Sequence, residues 1–226
     1  MVADMPKKSY RVVLWALAAF GLCADQASKY AVFAWLAPVE DNHVWLFKLG
    51  KETVGDREVE TGFQLLASSR PAADGSYVPR VNTGALFGLG QDEAWANNAF
   101  AVISVVAAGA ILYWSMRKGA ARSLWVCVAL GLILAGTLGN LYDRVVFHGV
   151  RDFLHWNYLY NWPVFNIADS FLVAGAGLLL LQAFGRQAKP ADAASPVNSA
   201  SAAVPAAATR LGSAPAAEGL VRKTAV

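Results

Sequence analysis

Gly139-Asn140-Leu141-Tyr142-Asp143-Arg144 closes one apolar run, and Phe165-Asn166-Ile167-Ala168-Asp169-Ser170 opens the next. Between them lies Gly149-Val150-Arg151-Asp152-Phe153. The flanking runs, 123–142 and 163–184, are each long enough to cross a bilayer, which takes about 20 residues at 1.5 Å apiece. Ionisable groups at the edge of hydrocarbon cost several kcal/mol unless they pair, reach water or do chemistry, so carboxylates placed there point to function. If the two runs form a helical hairpin, Asn140 and Arg144 share a face at i and i+4 with Asp143 beside them, and Asn166 and Asp169 lie one turn apart. Asp152 and Asp169 can then meet across the mouth of the hairpin. Gly136 and Gly139 leave room for a neighbouring helix or a substrate.

The rest of the chain reads as scaffold. Of 226 residues, 56% are apolar and 15% charged, against roughly 45–50% and about 25% in soluble domains. This composition marks a polytopic membrane protein. A net charge of +3 with no basic stripe among aromatics gives no footprint for nucleic acid. Cys23 and Cys127 fall in separate apolar runs without a CxxC or a partnering His, so they are expected to be free thiols, not a disulfide or a zinc site.

Taken in order, residues 1–11 are short and basic, and 12–36 form a first helical span that carries Asp25 and Lys29 four apart, able to pair on one face. A cleaved signal peptide is not expected, because the small-x-small pattern is missing. Residues 37–93 are a polar insert in which Val44–Leu49 and Gly62–Leu66 suggest short strands and Ser68–Ser76 a flexible loop. It ends in Asn82-Thr83-Gly84-Ala85-Leu86-Phe87-Gly88, whose glycines suit a close backbone approach. The second span is 94–116, with Asn97 and Asn98 at its polar mouth. The third is 123–142 and the fourth 163–184, with Pro163 expected at its first turn. The tail, 185–226, is Ala- and Pro-rich, without periodicity, and expected to be disordered. The fold class expected is therefore a mainly α membrane protein, four transmembrane helices with a small extracytoplasmic β-rich part. Lys7, Lys8, Arg11, Arg117, Lys118, Arg122, Arg186 and Lys189 fall on one side, which predicts both termini cytoplasmic and the polar cluster near the outer face.

Two carboxylates held close in a poorly hydrated site share one proton, so one can act as general base on water and the other as general acid. On spacing alone three readings stand: catalysis, a proton or ion pathway, and a structural polar network. His148 and His155 near Asp152 make at most half a metal site. Trp156, Tyr158, Tyr160 and Trp162 suit an interfacial belt.

Four pieces in the same order resemble the lipoprotein signal peptidases (signal peptidase II): Asp25-Gln26-Ala27-Ser28-Lys29, Asn82 to Gly88, Gly139 to Arg144 with Gly149 to Phe153, and Phe165 to Ser170. The resemblance covers roughly residues 10–184. It implies an aspartic endopeptidase of the bacterial inner membrane, without metal or cofactor. Such an enzyme removes signal peptides from prolipoproteins by cutting just before the diacylglyceryl-modified cysteine. Carried over, the catalytic pair is Asp152 and Asp169. Asn82, Gly84, Asn140, Arg144 and Asn166 line the substrate site, and Asp25, Lys29 and Asp143 support it. Asp143 shares a motif with Asp152, and Asp152 is favoured because Asp143 beside Arg144 has an obvious salt bridge. The expected partners are the prolipoprotein and membrane lipid, with no nucleic acid and a monomeric enzyme. The interval from Phe47 to Asn82 is longer than the family usually carries, and could form part of a lid or dangle.

Overall fold

The computed structural model describes residues 8–37, 39, 42–84, 93, 95–117 and 120–187. The predicted tail from 188 onward, the first seven residues and the glycine-rich stretch 85–90 lie outside the described residues. All that is described belongs to one compact unit, Met1–Lys189.

Four helices carry the architecture: α1 (Arg11–Leu36), α2 (Ala96–Met116), α3 (Leu124–Val146) and α4 (Ile167–Gln187). Helix α3 is central, packed against α1, α4 and α2. Its small residues explain why. A Cβ on Gly139 would come within 2.5 Å of the Asp25 carboxylate, and one on Gly136 would run into the Ala168 carbonyl oxygen of α4. On the far side of the bundle Leu14, Ala18, Ala108, Cys127 and Leu134 form an apolar core. Both cysteines are free, Cys127 buried and Cys23 on the outer surface of α1.

Helices α2, α3 and α4 are long and apolar enough to cross a membrane. Val102, Ile103, Val105 and Val106 on α2 and Val173, Leu180 and Leu181 on α4 are exposed, a surface suited to lipid rather than water. Helix α1 has the length, about 39 Å at 1.5 Å per residue, but Asp25, Gln26 and Lys29 interrupt its apolar character.

Helix ends differ from the sequence-based expectation in one consequential place. Pro163 does not open the fourth helix. Phe165 is instead drawn into extended pairing, its N–H donating to the Leu154 carbonyl at 2.9 Å and its carbonyl accepting from Leu154 N–H at 2.8 Å. The helix starts after Asn166, which forms a reciprocal cap with Asp169: Asp169 N–H donates to Asn166 Oδ1 at 3.0 Å and Asn166 N–H to Asp169 Oδ2 at 3.1 Å. A capping box satisfies two end groups at once, and a proline four residues earlier cannot compete with it. At the other end of α3, Ser123 caps through its hydroxyl, which accepts from Val126 N–H, and the helix runs a turn beyond Tyr142.

The insert is more ordered than its composition suggests. β1 (His43–Val54) and β2 (Arg57–Leu66) form a long antiparallel hairpin, and β5 (Leu154–Trp156) adds to β2, giving the order β1-β2-β5. Both predicted strands are longer than expected, because charged cross-strand partners extend them. Lys51 faces Glu60 across the ladder and bonds Glu58 at 3.0 Å. Gly55 turns the chain with φ +64°, a backbone state glycine tolerates without strain. The segment 68–76 is not a flexible loop, since β3 (Ser69–Pro71) pairs with β4 (Tyr77–Pro79). The long interval is thus two hairpins. Phe47, Phe63, Trp156 and Tyr158 stack along the first with ring centroids 5.5–6.4 Å apart.

The α3–α4 contact gives a direct test. Gly136→Val forces the helices apart at the Ala168 carbonyl and is expected to cost about 1–3 kcal/mol, read as a lower unfolding midpoint in detergent. Gly109→Ala, where a Cβ meets nothing within 4 Å, is expected to leave the midpoint unchanged or higher.

Candidate active site

Four segments converge at one end of the bundle. The loop after α3 pairs with the strand-like Asn82 through reciprocal bonds to Val150, both 2.8 Å, and so fixes Asp152 beside it. The start of α4 supplies Asp169, and α3 supplies Asn140 and Arg144. Asn82, Gly84, Asn140, Arg144, Val150, Asp152, Val164 and Asp169 together line a cavity of about 40 Å³, room for a water or two.

Each carboxylate is gripped by amides. Asp152 Oδ2 accepts from Asn82 Nδ2 at 3.0 Å, and its Oδ1 from Asn166 Nδ2 at 2.7 Å. Asp169 Oδ1 accepts from Asn140 Nδ2 at 2.8 Å. The same Asn140 uses its Oδ1 to accept from Asn166 Nδ2 at 3.2 Å and from Lys29 Nζ at 3.1 Å. With two donors on its oxygen, the Asn140 amide can only present its nitrogen to Asp169. A continuous chain of bonds therefore links Asp152, Asn166, Asn140 and Asp169. Burial, followed by the nearby Asp169 charge, pushes the Asp152 carboxyl up to about 7, against the pull of Asn82, Asn166 and Lys29. Near neutrality Asp152 therefore holds a proton for part of the time.

Behind this chain sits a second cluster, buried completely. Lys29 Nζ lies 2.9 Å from Asp25 and 3.4 Å from Asp143, all three with no exposed side-chain surface. Asp143 also accepts from the Arg151 main-chain N–H at 2.9 Å and from its guanidinium at 2.8 Å. Asp25 Oδ1 accepts the Ala168 N–H at 3.0 Å, one of the free amides at the start of α4. Two acids thus face two bases, and the cluster is formally neutral. The Arg151 guanidinium sits in the corner made by the Tyr30 and Phe147 rings, 4.2 and 4.1 Å from their centroids, and donates to Gln26 Oε1 at 2.9 Å.

The expected site residues fall into two groups. Asp152, Asp169, Asn82, Gly84, Asn140 and Arg144 line the cavity, and Asn166 joins its two carboxylates from behind. Asp25, Lys29 and Asp143 stand one layer back. The expected Asp143–Arg144 salt bridge does not form, because Arg144 turns to the cavity and Asp143 pairs with Arg151 and Lys29 instead. Among the described residues Arg144 has no carboxylate at ion-pair distance. Its guanidinium bonds main-chain oxygens of Gly84 at 3.3 Å and Asn140 at 3.5 Å. Arg151, Gln26 and Asn97 carry structural weight that sequence reading missed. A charge tally of the motifs, four Asp against Lys29 and Arg144, would have pointed to Arg151. His155 is occupied in the sheet, its ring nitrogens bonded to Gln64 at 2.8 Å and Asn161 at 2.7 Å.

Alongside the cavity runs an apolar groove of about 450 Å³ between α2, α3 and α4, lined by Phe100, Ile103, Ser104, Thr137, Leu172 and Val173 among others. It shares Asn140, Arg144 and Asp169 with the polar site.

Membrane-capable helices gathered around a buried polar cavity and its greasy groove define a helical membrane protein with an enzyme-like site at one end. The chain belongs to the signal peptidase II family: the family model described as Signal peptidase (SPase) II matches residues 17–185. It is similar to the lipoprotein signal peptidase of Rhodopirellula baltica, 37% identical over 83% of this chain and 78% of that protein. A lipoprotein signal peptidase of Pseudomonas putida is 42% identical over 48% of this chain and 65% of its own length. A solved bacterial membrane enzyme, determined by the in meso method at 2.3 Å, shares the fold with a TM-score of 0.60 at 23% identity, over 85% of this chain and 99% of that one. The chain is therefore a bacterial membrane peptidase.

Two outcomes follow from the charge layout. Lys29→Met leaves Asp25 and Asp143 with one cation between them and is expected to cost about 3–5 kcal/mol, read by thermal unfolding in detergent. For Asp152, the folded protein binds the proton more tightly than the unfolded chain, whose carboxyl titrates at about 3.9. Its contribution to stability is therefore full below about pH 4 and is lost as pH rises toward 7. Asp152→Asn should flatten that part of the unfolding profile between pH 4 and 7.

Proposed function

We propose that this protein removes signal peptides from diacylglyceryl-modified prolipoproteins, hydrolysing the peptide bond before the lipidated cysteine with Asp152 and Asp169 as an aspartyl dyad. The observation that carries this reading is the shared water-sized cavity lined by both carboxylates, each held by amides that leave it lone pairs for water or substrate. Asp152, whose proton affinity reaches neutrality, supplies the proton-bearing partner, and Asp169 the base.

Asp169 takes a proton from water as the water oxygen attacks the scissile carbonyl carbon, while Asp152 gives its proton to the carbonyl oxygen. Collapse of the tetrahedral intermediate breaks the C–N bond, and the proton held by Asp169 passes to the leaving amine. The proton on the intermediate's hydroxyl returns to Asp152, so the dyad ends as it began. Neither step calls for a metal or a cofactor. Arg144, free of any carboxylate among the described residues, suits the polar groups of the substrate. The adjoining groove, apolar along α2 and α4, suits the lipid chains or the apolar signal segment.

Placement in the membrane completes the reading. The peptidase domain is 12–184, with α1 crossing beside α2, α3 and α4. Asp25 and Lys29 are tolerated in the bilayer because their charges cancel within the bundle. Arg11, Arg117 and Arg122 lie at the opposite end from the dyad, so the basic end and both termini face the cytoplasm and the site lies near the extracytoplasmic face of the inner membrane. The enzyme acts as a monomer on a substrate delivered through lipid, with no part for nucleic acid.

Asp152→Asn and Asp169→Asn should each lower cleavage of a diacylglyceryl-modified prolipoprotein by about 10³-fold or more, followed as loss of the product mass. Both variants are expected to extract from membranes as folded protein. Cleavage that survives in both would end the dyad reading.

A further inference from the structure

A peptide bond is open to attack where its chain is extended, and every extended residue brings an N–H and a C=O without partners of their own. Beside hydrocarbon each such group costs several kcal/mol if left alone. A peptidase working there must offer acceptors and donors that are buried but not already engaged.

Among the described residues, three buried side-chain polar atoms have no hydrogen-bond partner: Arg11 Nε, Asn97 Oδ1 and Arg144 Nε. Arg11 is at the start of α1, where its guanidinium reaches the Arg117 carbonyl at 3.4 Å, the end of the bundle away from the dyad. The other two belong to one place. Asn97 Nδ2 donates to the main-chain carbonyl of Arg144 at 3.3 Å, and the two residues are only 9% and 8% exposed. That bond settles which way the amide lies, since the reverse would set two oxygens against each other. Oδ1 is therefore the free end.

Asn97 opens a face of α2 that continues through Phe100, Ser104 and Ala107, at i+3, i+7 and i+10. These three line the apolar groove with Arg144 and Asp169. The unengaged acceptor and donor are tied to one another through the Asn97 bond to the Arg144 main chain, and Arg144 itself lines both the groove and the cavity. One acceptor and one donor are what an extended peptide segment needs, an oxygen for its N–H and an N–H for its carbonyl.

We propose that Asn97 is a substrate-contacting residue: its Oδ1 accepts a main-chain N–H of the extended substrate segment that leads into the cavity, while Arg144 Nε donates to a carbonyl of the same segment. The inference rests on the peptidase reading given above and adds to it a subsite outside the four sequence motifs. Asn97 recognises main chain, so it fixes the register of the substrate at the dyad without choosing among side chains.

The test uses the full-length protein in detergent and synthetic diacylglyceryl-modified peptides, each N-methylated at one backbone nitrogen within four residues of the scissile bond. At one position the methyl group should lower kcat/KM of the unmutated enzyme about tenfold. The same peptide should be cut by Asn97→Leu as well as its unmethylated counterpart is. Asn97→Ala, the milder truncation, should show the same indifference, and unfolding midpoints of both variants report whether they fold. The proposal is overturned if no methylated position is selectively poor for the unmutated enzyme, or if that position is equally poor for the variants, as a bound water in place of substrate would give. Failure of the unmutated enzyme to cut the unmethylated peptide would instead remove the peptidase reading itself.

Discussion

Four charges removed from water hold this structure together. Asp25, Lys29, Asp143 and Arg151 are buried almost completely between α1, α3 and the loop that carries Asp152. An unpaired charge in that position would cost several kcal/mol, so each can stay only if the other three keep their places. That requirement ties elements far apart in sequence: Lys29 to Asn140 across 111 positions, and Asp25 to the Ala168 amide across 143. The two candidate catalytic carboxylates inherit their positions from this cluster. Asp152 follows Arg151, whose side chain turns into the cluster, and Asp169 follows Ala168, whose N–H is anchored on Asp25.

The neutrality of the cluster matters as much as its bonds. Because the buried acids and bases balance, the cluster adds no net charge behind the cavity, and Asp152 is governed first by desolvation and the neighbouring carboxylate, with Lys29 a lesser opposing pull. A peptidase working with two carboxylates needs them to differ in proton affinity at neutral pH. The surrounding amides allow this, since an Asn side chain donates to a carboxylate without bringing a full positive charge. Asn82, Asn140 and Asn166 thus position the acids while leaving them titratable, a role that lysine or arginine in direct contact would spoil.

The Asn166–Asp169 cap shows how local and global demands coincide. The bonds that start α4 also orient a candidate catalytic side chain, so the helix cannot begin elsewhere without misplacing Asp169. Proline at 163 is a reasonable helix opener by its own preference, yet it loses to the cap and to the pairing of Phe165 with Leu154. The hairpin β1–β2 offers a similar lesson. Residues 50–54 and 57–61, charged stretches with weak strand preference, become strand because the aromatic pairs of Phe47, Phe63 and Trp156 fix the register at their base and the Lys51–Glu58 pair within them.

The sequence by itself determined the class of protein, the four helices and the pairing of Asp25 with Lys29, and it named the polar residues that the structure gathers around one cavity. Long apolar runs and carboxylates at their ends have few physical explanations, and i,i+4 spacing is a local property. Tertiary structure alone decided which charges meet. Asp143 leaves its neighbour Arg144 for Arg151 and Lys29. Arg144 is thereby freed to face the cavity, and Asn97 is left with an unengaged oxygen beside it. Such choices depend on distances between helices, set by how closely glycines at 136 and 139 let α4 and α1 approach, and no spacing along the chain encodes them.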